Sequence, residues 1–306
     1  MYGEGRCTAE LPSLLDIGTC GLHTIHGSLK AGVKSSEWDT GSILNAMWNL
    51  LDESPARREK YERITETNVY PLHFCGHRWC ENENCANCAE TLWPVYVKFI
   101  RHLKSLPKSS QPQCKSYEVL LRAIEDPLQQ AKLKFVEFIA SKLNIFLRGF
   151  QTDQPMVPFL CDVLKNLLLS LLRMFILNST ISKADTVSKL LKIDVSNKNV
   201  HKPLESIDVG TASKLLVSKY KKSSSESKDS KIHKFFKGVC AFLASLTAHM
   251  IEKCPLKHLI VRCASCLNPS AMSVVSGKEV TVTKFNKMVE KLVSLNQITT
   301  KLGDEA

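Results

Sequence analysis

The stretch FLCDVLKNLLLSLLRMFIL, residues 159–177, constrains the fold of this chain more than any other segment. It is long enough to span a bilayer, yet it carries Asp162, Lys165 and Arg173. Each charge would cost about 2.5–3.5 kcal/mol at the bilayer centre, so the run reads as a helix buried inside a protein. Such a helix must be surrounded by others, and the rest of the sequence supplies them. Over 41–53, Ile43, Leu44, Met47, Leu50 and Leu51 recur at helical spacing; Ser54 and Pro55 then open a second helix as cap and first residue. From 83 to 103 the apolar stripe runs through Cys85, Cys88, Ala89, Leu92, Val95, Tyr96, Phe99, Ile100 and Leu103, with Pro94 predicting a kink. Further helices are predicted over 117–125, 127–151, 155–177, 184–193, 231–253 and 278–295. Strand candidates are short, at 13–19 and 69–75, and no long repeat is visible. The expected class is mainly α, with a fragment of sheet near the N-terminus.

With 306 residues and 44% hydrophobic content the chain can build one or two cored domains. Its first residues lack a basic segment followed by an apolar run, so a location inside the cell is expected, the nucleus included, rather than secretion or a membrane. In that reducing setting the 12 cysteines read as thiols or metal ligands, not disulfides. The net charge of +11 is unevenly spread: residues 183–258 hold 15 lysines and no arginine against 7 acids. Many of them lie in or beside SKYKKSSSESKDSKIHKFFKG, 218–238, whose Ser/Lys-rich centre predicts a solvated loop over 218–231. Lys219, Lys221, Lys222, Lys231 and Lys234 are its candidate phosphate contacts. Lysine without arginine offers charge but little bidentate base recognition, so sequence-specific DNA reading is not expected.

Signs of catalysis are sparse. No phosphate-binding glycine loop, zinc-protease helix or nucleophile elbow occurs, and acid pairs such as Asp52-Glu53 sit at helix ends as solvated charges. Two constellations remain. In CGLHTIHG, 20–27, a helix would place Cys20, His23 and His26 down one sloping face, but a single short element rarely supplies a complete tetrahedral set. Cys20 and His23 are expected to be packed or hydrogen-bonded in a core, where a strand passes into a helix. In PLHFCGHRWCENENCANCAE, 71–90, Cys85 and Cys88 have a zinc-like spacing, with His73, Cys75, His77 and Cys80 as further candidates. Against that reading, Cys85 and Cys88 fall on the apolar stripe, where a thiol packs as a small hydrophobe. Cys75, Cys80, Cys85 and Cys88 are therefore weak metal candidates, and no cofactor is expected.

The order of these pieces resembles hAT-superfamily transposases. LLDIGTCGLHTIHGSLKAG, 14–32, resembles their C-x-x-H block, carried here by Cys20 and His23; YPLHFCGHRWCENENCANCAETLWP, 70–94, resembles the later block marked by Arg-Trp, here Arg78 and Trp79. LIVRCASCLNPSAM, 259–272, is similar to the block near the return to the catalytic domain. The resemblance implies a partial RNase H-like α/β region over 1–110, an all-helical insertion domain over 111–265, and a C-terminal helical segment over 266–306 that stops before the last catalytic block.

Such an enzyme holds two divalent metals with three carboxylates. Asp16 lies too close to Cys20 to match the second of them, and neither Glu279 nor Glu290 has the sequel of the third. The expected protein is thus a catalytically inactive fragment or domesticated derivative, truncated at both ends. It would act as an interaction module or a weak, non-specific nucleic-acid binder, with a protein partner and no small-molecule substrate. Two alternatives are a metal-dependent transposase or nuclease completed by a partner chain and a small zinc-binding interaction module.

Overall fold

The computed structural model describes residues 20–52, 54–76, 79–223, 228–270 and 278–305. Helix starts follow local chemistry where the sequence supplies it. Ser54, in extended conformation, accepts the Arg57 N–H at 3.4 Å and Pro55 fills the first turn, so the helix begins there. It ends at Glu66, which takes the left-handed conformation common just past a helix (φ 58°).

In chain order the principal helices are α1 (Gly21–Ser35), α2 (Thr40–Asp52), α3 (Pro55–Thr65), α4 (Glu83–Ser105, continuing through Pro94), α5 (Lys115–Ala123), α6 (Gln129–Phe150) and α7 (Val157–Phe175). Then follow the short α8 (Asn178–Lys183) and α9 (Val187–Leu190), α10 (Thr211–Lys222), α11 (Lys228–Lys253), α12 (Leu259–Cys263), α13 (Lys278–Ser294) and α14 (Thr300–Glu305).

The protein is mainly α. Among the described residues the β structure is one isolated antiparallel bridge, Ile176 to His201. The strand candidate at 13–19 lies outside the described residues, while the one at 69–75 is not a strand. Side chains replace the missing sheet partner. The Tyr61 hydroxyl donates to the Val69 carbonyl (3.2 Å), the Cys88 thiol to that of Tyr70 (3.4 Å), and the Cys85 thiol to that of Leu72 (3.2 Å). A segment whose backbone is satisfied from the flanking helices needs no ladder.

Among the described residues there are two main cores, interleaved in sequence, and a small third cluster of Cys263, Ala264, Cys266 and Met288. The larger takes α1, α6, α7, α10 and α11 around Leu29, Phe135, Leu168, Phe175, Phe242 and Leu246. The other takes α2 to α5 around Met47, Leu50, Tyr61, Tyr96, Phe99 and Leu120. Helix α6 joins them, because Leu133 enters the second core while Phe135, Val136 and Ile139 enter the first. Its contact with α4 carries polar groups as well: Lys134 pairs with Glu90 at 2.7 Å, and Asn144 donates to Glu83.

The closest helix pair is α1 with α11, which run antiparallel. Thr24 faces Lys253, Ser28 faces His249, Ala31 faces Ser245 and Ser35 faces Ala241. Hydroxyls cross this seam repeatedly: Ser35 Oγ donates to the Ala241 carbonyl (2.9 Å) and Ser245 Oγ to that of Ala31 (3.2 Å). Glycine allows the approach, since a Cβ at Gly32 would sit 3.0 Å from both the Phe242 ring and its carbonyl oxygen. At the far end Trp38 stacks on Phe235 (5.6 Å, 5°) and meets Phe135 edge-on (5.7 Å). Helix α11 is the one described helix long and apolar enough to cross a membrane by length and composition. Here Val239, Phe242, Leu243, Leu246 and Met250 are spent on the core.

Candidate functional site

The C-x-x-H segment folds as the start of α1, with Cys20 at its N-cap position. Cys20 and His23 are exposed, which corrects the expectation that they pack in a core. Burial falls instead on Thr24, Ile25, Ser28 and Leu29. His26 is half-buried, and its Nδ1 accepts the Cys80 N–H at 3.3 Å. That bond joins the two blocks singled out in the sequence. Arg78 and His77 lie outside the described residues; Trp79 opens the 3-10 turn Trp79–Asn82.

The Cys-rich segment disperses its thiols. Cys80 is buried in the larger core, whereas Cys85 belongs to the second, with half-buried Cys88 packed against it. Burial pushes the Cys85 thiol up to about 12 and raises Cys88 as well, so both are held as neutral donors. Cys75 is fixed through its backbone: Asn82 Oδ1 accepts its N–H (2.7 Å) and Asn82 Nδ2 donates to its carbonyl (2.8 Å). Among the described residues no group of three or more His, Cys, Asp or Glu side chains converges as metal ligands would. Asn82 has a structural role that its sequence position did not advertise.

The lysine-rich stretch is more helical than expected, correcting the loop over 218–231. Ser218–Lys222 close α10 and Lys228–Lys231 belong to α11. Helix propensity of lysine and the anchoring of Val217 and Phe235 in the core carry the helices into this segment. Lys219, Lys221, Lys222, Lys231 and Lys234 are all exposed, and none makes an ion pair among the described residues. The first three stand at the C-terminus of α10, where the helix dipole favours cations. Lys231 and Lys234 stand in the first two turns of α11, where it does not. These two rim a shallow pocket of about 280 Å³ with Arg122, Glu125, Asp126 and Lys132, so acids temper the charge there.

A second site was not legible in the sequence. A groove of about 630 Å³ lies between α11 and the segment 195–204. Its floor is apolar and largely small, with half-buried Ala241, Ala244 and Leu204, and Ala248, Lys198, Lys237 and His233 are exposed on its border. Within it Cys240 Sγ lies 3.2 Å from His201 Nδ1, and His201 Nε2 lies 2.8 Å from the Val195 carbonyl oxygen. A carbonyl only accepts, so Nε2 carries the hydrogen of the neutral ring and Nδ1 is free to accept the thiol proton. Burial raises the Cys240 thiol, with the Lys198 charge opposing. The imidazole is held firmly. Leu177 N–H donates to the Val200 carbonyl (2.8 Å), Lys202 N–H donates to the Phe175 carbonyl (2.7 Å), and the ring meets Phe175 edge-on at 5.2 Å.

A third pair, Ser28 and His249, joins α1 to α11 at 3.1 Å. Ser28 Oγ already donates to the Thr24 carbonyl (2.7 Å), so it accepts from His249 and its proton is committed. This is a clasp between helices, not a nucleophile with its base. Set against models of protein families, curated proteins and solved structures, the chain matches none. Geometry and sequence carry the functional reading.

Proposed function

We propose that this chain is a helical interaction module, inactive as a transposase and descended from the helical and neighbouring RNase H-like parts of a hAT-type transposase, that contacts polyanions weakly and without sequence preference. The observation that carries the binding reading is the set of exposed lysines, without ion pairs among the described residues, at the adjoining ends of α10 and α11. Lys231 and Lys234 oppose the local dipole, so helix stability does not account for them. Lysines neutralise phosphates but, lacking the guanidinium fork, offer little bidentate reading of base edges. The reading without strand transfer is supported by the sequence, where Asp16, Glu279 and Glu290 do not match the carboxylates of the family pattern.

The test combines binding and cleavage. A variant with Lys219, Lys221 and Lys222 changed to Glu is expected to lose at least tenfold in affinity for duplex DNA at low salt, with unaltered helicity. Wild-type protein with Mg²⁺ or Mn²⁺ is expected to leave plasmid DNA uncut. Equal binding by the variant would remove the lysine surface from the account, and metal-dependent cutting would favour a nuclease.

A further inference from the structure

The Cys240–His201 groove has the parts of a thiol acyl-acceptor site, and its chemistry is independent of the lysine surface at the ends of α10 and α11. The nucleophile and base are within hydrogen-bond reach (3.2 Å), and the base is oriented by a third group, the Val195 carbonyl (2.8 Å). His201 sits between two backbone hydrogen bonds to the end of α7, so its ring is placed before any ligand arrives. The cavity, about 630 Å³, falls within the ~300–1,000 Å³ of small-molecule sites. Ala241, Ala244, Ala248 and Leu204 offer it hydrocarbon surface, and the hydroxyls of Ser196 and Ser245 in its lining already donate to Asp194 and to the Ala31 carbonyl. Positive charge is confined to the border, at Lys198 and Lys237.

We propose that this groove takes a long-chain fatty-acyl thioester with an anionic carrier, and that the acyl group is transferred to Cys240. The occupant follows from the division of the site: an apolar trough fits an alkyl chain, and each buried methylene contributes about 0.8 kcal/mol. The cationic border matches the phosphates of a nucleotide-bearing carrier. In the transfer His201 Nδ1 takes the Cys240 proton as Sγ attacks the thioester carbonyl carbon. The bond from that carbon to the carrier sulfur then breaks, and the carrier thiolate takes the proton back from His201. One thioester is exchanged for another, with no oxidation or reduction.

The experiment incubates the full chain with alkyne-tagged palmitoyl coenzyme A, then reads labelling by mass spectrometry and release by neutral hydroxylamine. Wild-type protein is expected to carry one hydroxylamine-labile acyl group on Cys240. Labelling is expected to vanish in Cys240→Ser and to slow at least tenfold in His201→Gln, both checked for wild-type helicity and melting. Lys198→Glu with Lys237→Glu is expected to slow labelling by the coenzyme A thioester but not by the uncharged palmitoyl N-acetylcysteamine thioester. That contrast separates charge recognition from loss of fold. No label on Cys240, label that persists in Cys240→Ser, or an unchanged rate in His201→Gln would overturn the proposal.

Discussion

At the residue scale, the side chains that matter are those that satisfy backbone groups or each other. Asn82 acts as a surrogate strand for Cys75, closing 75–82 with one accepted and one donated bond. Asn82→Asp keeps the acceptor but turns the donor into a carboxylate oxygen facing a carbonyl. The expected loss is about 1–3 kcal/mol of stability by urea unfolding, with the helical signal retained in water. His249 gives a dependence on pH. Burial is the main cause that lowers its pKa, with Lys253 acting in the same direction and Glu252 against it. The folded state therefore binds fewer protons than the unfolded chain, whose histidines titrate near pH ~6.5. The stabilisation is complete above that pH and is lost as pH falls through the lowered folded value. Melting temperature should drop between pH 7.5 and 5, and His249→Gln should remove part of that drop.

At the element scale, the α1–α11 seam decides the architecture of the larger core. Gly238 shows how little space remains: an added Cβ would approach within 2.5 Å of the Trp38 Nε1 atom, inside the aromatic cluster with Phe235 and Phe135. Overpacking of this kind typically costs about 1–3 kcal/mol. Gly238→Ala should therefore lower stability by that amount and shift tryptophan fluorescence, although alanine is the better helix former in isolation. The helices themselves were largely legible: 41–53, 83–103, 127–151 and 155–177 match α2, α4, α6 and α7 within a few residues, and α3 begins at Pro55 behind its Ser54 cap. Apolar periodicity is a local property, and local properties survive folding. The strand reading at 69–75 failed because Tyr70 and Phe74 pack on the helices of the second core while Val69 and Leu72 are exposed, and no strand among the described residues lies beside them. In the C-x-x-H segment the eye goes to Cys20 and His23, yet the contacts with α11 run through Thr24 and Ser28.

For the whole molecule, two cores share α6, and an expected boundary near residue 110 falls between α4 and α5 of the same core. The cysteine-lined groove could not be read from sequence. His201 lies in an irregular segment that becomes a wall only because Val200 and Lys202 bond to the end of α7, and nothing in the helical pattern of 231–253 pairs Cys240 with it. The lysine surface was visible in composition, and the fold adds that it lies on two helix ends. That surface is the centre of the functional account, and its most direct test is the salt dependence of wild-type binding to duplex DNA. Binding through two to five phosphates predicts a linear fall of log affinity with log salt, of slope about −2 to −4.5, the same for unrelated sequences. A flat dependence, or a strong preference for one sequence at equal salt, would contradict it.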